Sequence, residues 1–224
     1  LKRLLITIDG PAGAGKTTVS KMLAERLAYT YVDTGALYRG IAVAVRDAGI
    51  SPDDDAGLET LCRAPDIRFV RAENSLRLLL NETDITGRIR TPEITMLASA
   101  ISAKPVVREC LLHLQRDMGR QKGLVFEGRD MGTVVFPDAD IKFFLDAPLE
   151  IRATRRYREF QGENRQTLAD VERDMRVRDR NDSTRRIAPL KPAKEAVMID
   201  SATLSPREVV MQMLKYIKES LDLF

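Results

Sequence analysis

Ile6-Thr7-Ile8-Asp9-Gly10-Pro11-Ala12-Gly13-Ala14-Gly15-Lys16-Thr17-Thr18 is the stretch whose reading decides the fold. An apolar run from Leu4 to Ile8 enters a glycine-rich loop, and the loop enters a strongly helix-forming segment. Gly10 to Thr17 fits G-x-x-x-x-G-K-[ST]. Glycines at 10, 13 and 15 open backbone dihedrals closed to other residues, so successive N–H groups can point inward at phosphate oxygens. The following helix presents its positive dipole end to the same anion. Lys16 can then reach the β- and γ-phosphates, and the Thr17 hydroxyl can ligate Mg²⁺. A glycine-rich turn that merely precedes a helix would not also need the Lys-Thr pair in register. The loop predicts a nucleoside triphosphate site.

Working outward, residues 16–28 carry Val19, Met22, Leu23 and Leu27 at helical spacing. The short run 29–32 ends in Asp33-Thr34-Gly35, where Asp33 or Thr34 can cap a helix over about 35–48. Residues 52–64 read as a short helix. The runs 66–70 and 76–80, joined by Ala72-Glu73-Asn74-Ser75, then read as a hairpin, and 83–89 as a possible third strand. This β patch breaks the alternation of the remaining chain and reads as an inserted lobe. Helices follow from Thr91 to about 103 and from Pro105 to about 120. Strand candidates at 124–126, 141–145 and 197–199 alternate with helices at 149–160, 167–180 and from Ser205-Pro206 to about 221. That alternation predicts a parallel sheet covered on both faces.

Composition excludes several classes. The chain has 224 residues, is 44% hydrophobic and 31% charged, and carries a formal charge of only +3. That length suits one globular unit with an inserted lobe, and so small a charge gives no bulk attraction to nucleic acid or membrane. No window approaches the ~20 apolar residues of a membrane span. No signal peptide is expected before the first strand, and a residue or two is expected to be missing ahead of Leu1. Cys62 and Cys110 offer neither metal-ligand spacing nor a disulfide framework, so they read as small buried hydrophobes in a reducing cytoplasm. His113, the single histidine, lies between leucines on a helix and reads as structural or surface.

A phosphate loop alone leaves kinases, GTPases and mechanical ATPases open. No N-K-x-D segment reads guanine, and no long domain follows for mechanical work. The density of arginine over 149–180 suits an enzyme with a second phosphorylated substrate, since guanidinium forks are always charged and bidentate.

GPAGAGKTT, VDTGALYRG, EGRDMGTVVFPDA and RDRNDSTRRIAPL resemble segments of bacterial cytidylate kinases, over nearly the whole chain. The resemblance implies an α/β fold of P-loop NTPase type with a five-stranded parallel sheet and helices on both faces. It also implies a monophosphate-binding region at 34–104 with a β insertion at about 66–90, a lid at about 152–182, and one kinase unit over 1–224. The activity implied is transfer of the γ-phosphoryl of ATP to CMP or dCMP with Mg²⁺, in a cytoplasmic monomer. Gly10, Pro11, Ala12, Gly13, Ala14, Gly15, Lys16, Thr17 and Thr18 would hold ATP, Thr17 also the metal. Arg39, Arg129 and Arg185 would hold the acceptor phosphate and act with Lys16 in catalysis.

Further roles follow from the same resemblance. Asp130, Arg108 and Ser99 would face the cytosine edge, Arg178 and Asp182 the ribose, and Thr34 and Tyr38 would lie beside the acceptor. Cytosine offers an amino donor to Asp130 and a bare ring nitrogen to Arg108, whereas uracil reverses both and is rejected. Position 127 is Glu, where relatives carry either acidic residue. Arg152, Arg155, Arg156 and Arg158 fall where the lid begins, with Gly162-Glu163-Asn164 at its tip. Arg155 and Arg156 are the choices for the ATP phosphates, against a solvated basic face paired with Glu150 and Glu159. Asp33 could hold Mg²⁺ through water, or simply cap its helix. The competing functions are another small P-loop kinase acting on UMP or AMP, and a nucleotide-binding module that uses its arginines on RNA.

Overall fold

β1 (Leu5–Asp9) is buried along its whole length because strands lie parallel to it on both sides. β6 (Leu124–Gly128) pairs with it from Leu5↔Leu124 to Asp9↔Gly128, and β7 (Ile141–Asp146) from Ile6↔Ile141 to Asp9↔Phe144. β2 (Thr30–Asp33) and β8 (Val197–Asp200) complete a five-stranded sheet of order β2-β6-β1-β7-β8. A strand buried on both faces needs an apolar side chain at nearly every position, and Leu5 to Ile8 supply this apart from Thr7. The computed structural model describes residues 3–63, 66–72, 75–159 and 166–222.

The chain divides into two compact units, one holding the residues up to Val32 and from Gly119 onward, the other Asp33–Met118. In the first, α1 (Lys16–Leu27) and α8 (Pro206–Asp222) bury Val19, Leu23, Val209, Met213 and Ile217 with Ile6, Ile8 and Phe143 of the sheet. Also here, α6 (Leu149–Glu159) and α7 (Leu168–Thr184) enclose a small core of Ala153, Val171 and Met175, with Ala12 and Tyr157 against it.

The second unit starts at α2 (Thr34–Asp47), capped by Asp33, whose carboxylate accepts the Ala36 N–H at 3.1 Å. α3 (Asp55–Cys62), the antiparallel strands β3 (Ile67–Ala72), β4 (Ser75–Leu80) and β5 (Thr83–Asp84), then α4 (Pro92–Ile101) and α5 (Pro105–Gly119) follow. Ile41, Leu58, Leu78, Ile85, Ile94 and Leu111 form its core. α2 lies close on the hairpin at Gly40, where an added Cβ would come within 2.3 Å of Ile67 Cδ1. Positions 73 and 74 of the expected hairpin turn lie outside the described residues. Among the described residues no helix is long and apolar enough to cross a membrane.

Three local expectations differ from what is observed. The third strand is two residues long and not seven, because the chain turns after Asp84: Arg88 N–H bonds Ile85 O at 2.8 Å, and Ile85 and Ile89 point into the core. α7 runs to Thr184, beyond the expected stop near 180. It starts on a capping box between Thr167 and Asp170, and its last turns carry residues tied to another strand, described below. Met131–Val135 forms a π-helical turn where the sequence suggested only a connection. The proposed lid tip Gly162-Glu163-Asn164 lies outside the described residues.

Candidate active site

At the end of β1 the backbone of Gly10 passes so near β7 that an added Cβ would lie 2.0 Å from Leu145 O. Gly10, Gly13 and Gly15 have φ of 148°, 74° and 87°, the left-handed region that favours glycine. Gly15 caps α1, so the loop delivers its amides directly onto the helix N-terminus. Ser201, just past β8, steadies the loop from below. Its hydroxyl donates to Ala14 O at 2.9 Å and its N–H to Asp146 O at 2.8 Å.

Lys16 is buried, and its ammonium bonds Pro11 O at 2.6 Å. Burial lowers its pKa to about 7, helped by the positive charges of Arg129 and Arg178 and opposed by Glu127 and Asp9. A polyphosphate beside Lys16 adds negative charge and restores the proton. ATP binding at pH 8 is therefore expected to take up close to one proton per site, since a group with pKa near 7 is mostly neutral there. Uptake should fall toward zero at pH 6, where Lys16 is already charged, and should be absent in Lys16→Met. Titration calorimetry in buffers of different ionisation enthalpy measures it.

Glu127, at the end of β6, is a residue whose part the sequence did not show. Its two carboxylate oxygens accept from Thr17 Oγ1 at 2.9 Å and from the Tyr31 hydroxyl at 2.6 Å. The only signal was an acidic residue closing a buried strand. A hydroxyl and a carboxylate side by side are hard oxygen donors suited to Mg²⁺. Among the described residues no three His, Cys, Asp or Glu gather as a metal cluster.

Two arginine–carboxylate pairs stand beyond Glu127. Arg129 Nε bonds Asp182 Oδ2 at 3.1 Å, and an Arg185 terminal nitrogen meets Asp130 Oδ1 at 3.3 Å with both side chains buried. Arg185 also donates through Nε to Ala188 O at 2.6 Å. Arg129, Asp130, Asp182 and Arg185 are thus brought together, with the end of α7 stitched to the segment after β6. Arg178 lies on the same helix and acts electrostatically on Lys16.

The arginines of the expected lid divide. Arg155 is held on Ser201 O at 2.6 Å and on Ser201 Oγ at 3.2 Å, and Arg156 bonds Glu159 at 2.8 Å. Arg152 reaches the phosphate loop: it donates to Ala12 O at 3.0 Å and to Ala147 O at 2.7 Å, and pairs with Asp179 at 2.7 Å.

In the second unit, Thr34 opens α2 and is buried. Arg39 pairs with Asp33 at 2.8 Å, so Asp33 is occupied as cap and counter-ion. Arg108 sits over the Tyr38 ring, 5.7 Å from its centroid, and donates to Ser102 O at 3.2 Å. Ser99 Oγ is buried with no hydrogen-bond partner among the described residues. Tyr38, Arg39, Ser99 and Arg108 therefore belong to one unit, and Lys16, Arg129, Asp130, Arg178, Asp182 and Arg185 to the other. Cys62 and Cys110 are free thiols that share a hydrogen bond, and His113 is exposed on α5.

A phosphate loop opening from a central parallel strand, with charged pairs just past the end of the strand beside it, defines a P-loop phosphotransferase. Solved structures share the fold. A gluconokinase from Sinorhizobium meliloti matches with TM-score 0.51 and 13% identity over 99% of this chain and 97% of that one. A shikimate kinase from Bacteroides thetaiotaomicron matches with TM-score 0.50 and 12% identity over 99% of both. The family model described as cytidylate kinase matches residues 6–219. A cytidylate kinase of Geobacter sulfurreducens is 50% identical over 96% of this chain and 93% of its own length. One from Pasteurella multocida is 44% identical over 99% and 98%. This chain belongs to the cytidylate kinase family.

Proposed function

We propose that this protein transfers the γ-phosphoryl group of ATP to CMP or dCMP, giving CDP or dCDP and ADP. The observation that carries the reading is the pairing of Arg129 with Asp182 and of Arg185 with Asp130 in the unit that holds the phosphate loop. Two guanidinium groups kept charged and oriented there suit an incoming phosphate dianion. Arg129 and Arg185 bind the acceptor phosphate and neutralise charge on the phosphoryl group in flight, with Lys16 on the donor side. Arg39 is the third arginine assigned to the acceptor phosphate. The acceptor phosphate is already nucleophilic, so no general base is needed; positioning and charge neutralisation carry the step.

Mg²⁺ suits the oxygen donors of Thr17 and Glu127, and when bound it neutralises charge on the transferring phosphates. Gly10 to Thr18 hold the ATP phosphates, and Arg155 and Arg156 of α6 are assigned to the same phosphates. A lid over 152–182 excludes water, a competing acceptor. Asp130 and Arg108 read the amino group and ring nitrogen of cytosine with Ser99, Asp182 and Arg178 hold the ribose, and Thr34 and Tyr38 flank the acceptor.

A coupled assay over nucleoside monophosphates with ATP tests this. CMP and dCMP are expected to exceed UMP by at least about 10-fold in kcat/KM, because uracil leaves buried polar partners unpaired, and AMP should be poorer still. Equal turnover of UMP or AMP would establish the other small-kinase reading. Asp130→Ala should narrow the CMP-over-UMP ratio; an unchanged ratio places base recognition elsewhere.

A further inference from the structure

Asp9 has no part in the roles above, yet it is among the least exposed charged groups of the chain, at 3%. It closes β1 and immediately precedes Gly10, the glycine wedged against Leu145 O. Its two carboxylate oxygens are both engaged across 122 and 123 residues of sequence. Oδ1 accepts the Met131 N–H at 2.9 Å, and Oδ2 accepts the Gly132 N–H at 2.8 Å. Those amides open the π-helical turn, whose other early bonds return to Asp130: Val134 N–H reaches Asp130 O at 2.9 Å and Val135 N–H at 3.2 Å. Short π-helical segments concentrate at functional positions.

The carboxylate therefore clamps one side of Asp130, while Arg185 holds its side chain from the other. The first residue of the phosphate loop follows Asp9 directly, and Arg129-Asp130 precedes the two amides directly. One side chain thus fixes the spacing between the donor cradle and the segment assigned to the acceptor.

We propose that Asp9 is a positioning residue for the acceptor nucleotide. Through the Met131 and Gly132 amides it sets where Arg129 and Asp130 stand relative to the phosphate loop, and so governs acceptor affinity and base choice without touching either substrate. Its effect on base choice rests on the reading of Asp130 given above. A carboxylate is required because two converging N–H donors need two acceptors. An amide of the same shape offers one acceptor and turns a second donor against the remaining N–H.

Asp9→Asn is expected to raise KM for CMP by about 10-fold or more, since small displacements at a reacting centre cost that much. The same variant should narrow the CMP-over-UMP ratio and leave KM for ATP within about 2-fold of wild type. Parallel increases in the two KM values, or an unchanged KM for CMP, overturn the inference, because a merely structural loss moves both substrates together. Gly132→Ala supplies a second variant that keeps every charge. Its added Cβ lies 3.1 Å from Thr7 Oγ1 and 3.4 Å from Asp9 Oδ2, and it should shift KM for CMP in the same direction; if Asp9→Asn does not fold, this variant decides.

Asp130→Ala measured alongside separates the two readings. If Asp130→Ala narrows the base ratio and Asp9→Asn leaves it at the wild-type value, the link from Asp9 to base choice falls alone. If Asp130→Ala leaves the ratio at the wild-type value, the base assignment fails while the split in KM still judges Asp9.

Discussion

Lys16→Ala should lower kcat by about 10³-fold or more, the scale on which a charge stabilising a transferring phosphoryl group acts. The chain should still fold, because no buried apolar contact is lost. The lysine is buried with its pKa lowered to about 7, so the folded chain gains nothing from keeping it charged. The sign follows from proton counts: between pH 7 and 10 the unfolded lysine holds its proton and the folded one has lost it. Stability from this group therefore rises with pH across that window, and Lys16→Ala should flatten the rise. Rapid-quench kinetics with thermal melts at pH 7 and 9 would check both parts. Turnover within a factor of three of wild type would remove Lys16 from catalysis.

Arg185→Ala should cost about 10²- to 10³-fold in kcat/KM for CMP, in line with loss of a donor to developing charge. It should also lower stability. Arg185 and Asp130 are both buried, and removing one member of a buried pair typically costs about 3–5 kcal/mol. Arg185→Lys separates the effects. It keeps the positive charge and part of the stability, but the ammonium cannot serve Ala188 O and Asp130 at once as the planar fork does. The lysine variant should thus fold nearly normally and remain far slower than wild type. If Arg185→Lys restores full activity, only the charge matters and the fork geometry is irrelevant. If Arg185→Ala is destabilised but turns over CMP normally, Arg185 is structural.

The parts legible in the sequence were those that local chemistry dictates. The strand, loop and helix around Gly10–Thr17 followed from spacing alone, because left-handed glycines and an apolar strand leave few alternatives. The start of α2 was readable to within the pair Asp33 and Thr34, and the start of α4 at Thr91. What escaped depends on partners remote along the chain. Met-Gly-Thr-Val-Val carries no helical period, and its turn is held by Asp9 from 122 residues away. The helix expected over 167–180 continues to Thr184, where Asp182 meets Arg129, 53 residues distant. Glu127 looked like an ordinary acidic residue until the fold placed it on Thr17, 110 residues back. Arg155, assigned to the ATP phosphates by family resemblance, has its guanidinium on the carbonyl of Ser201, a contact that no local pattern announces.

Ser201 has a consequence for how the molecule comes into being. Its hydroxyl braces the nucleotide loop at Ala14, so the loop is completed by a residue 187 positions further along the chain. A nascent chain still lacking β8 carries the whole nucleotide motif without its brace. Closure of the loop therefore waits on a contact between residues far apart in sequence, the kind of pairing that forms slowly in folding.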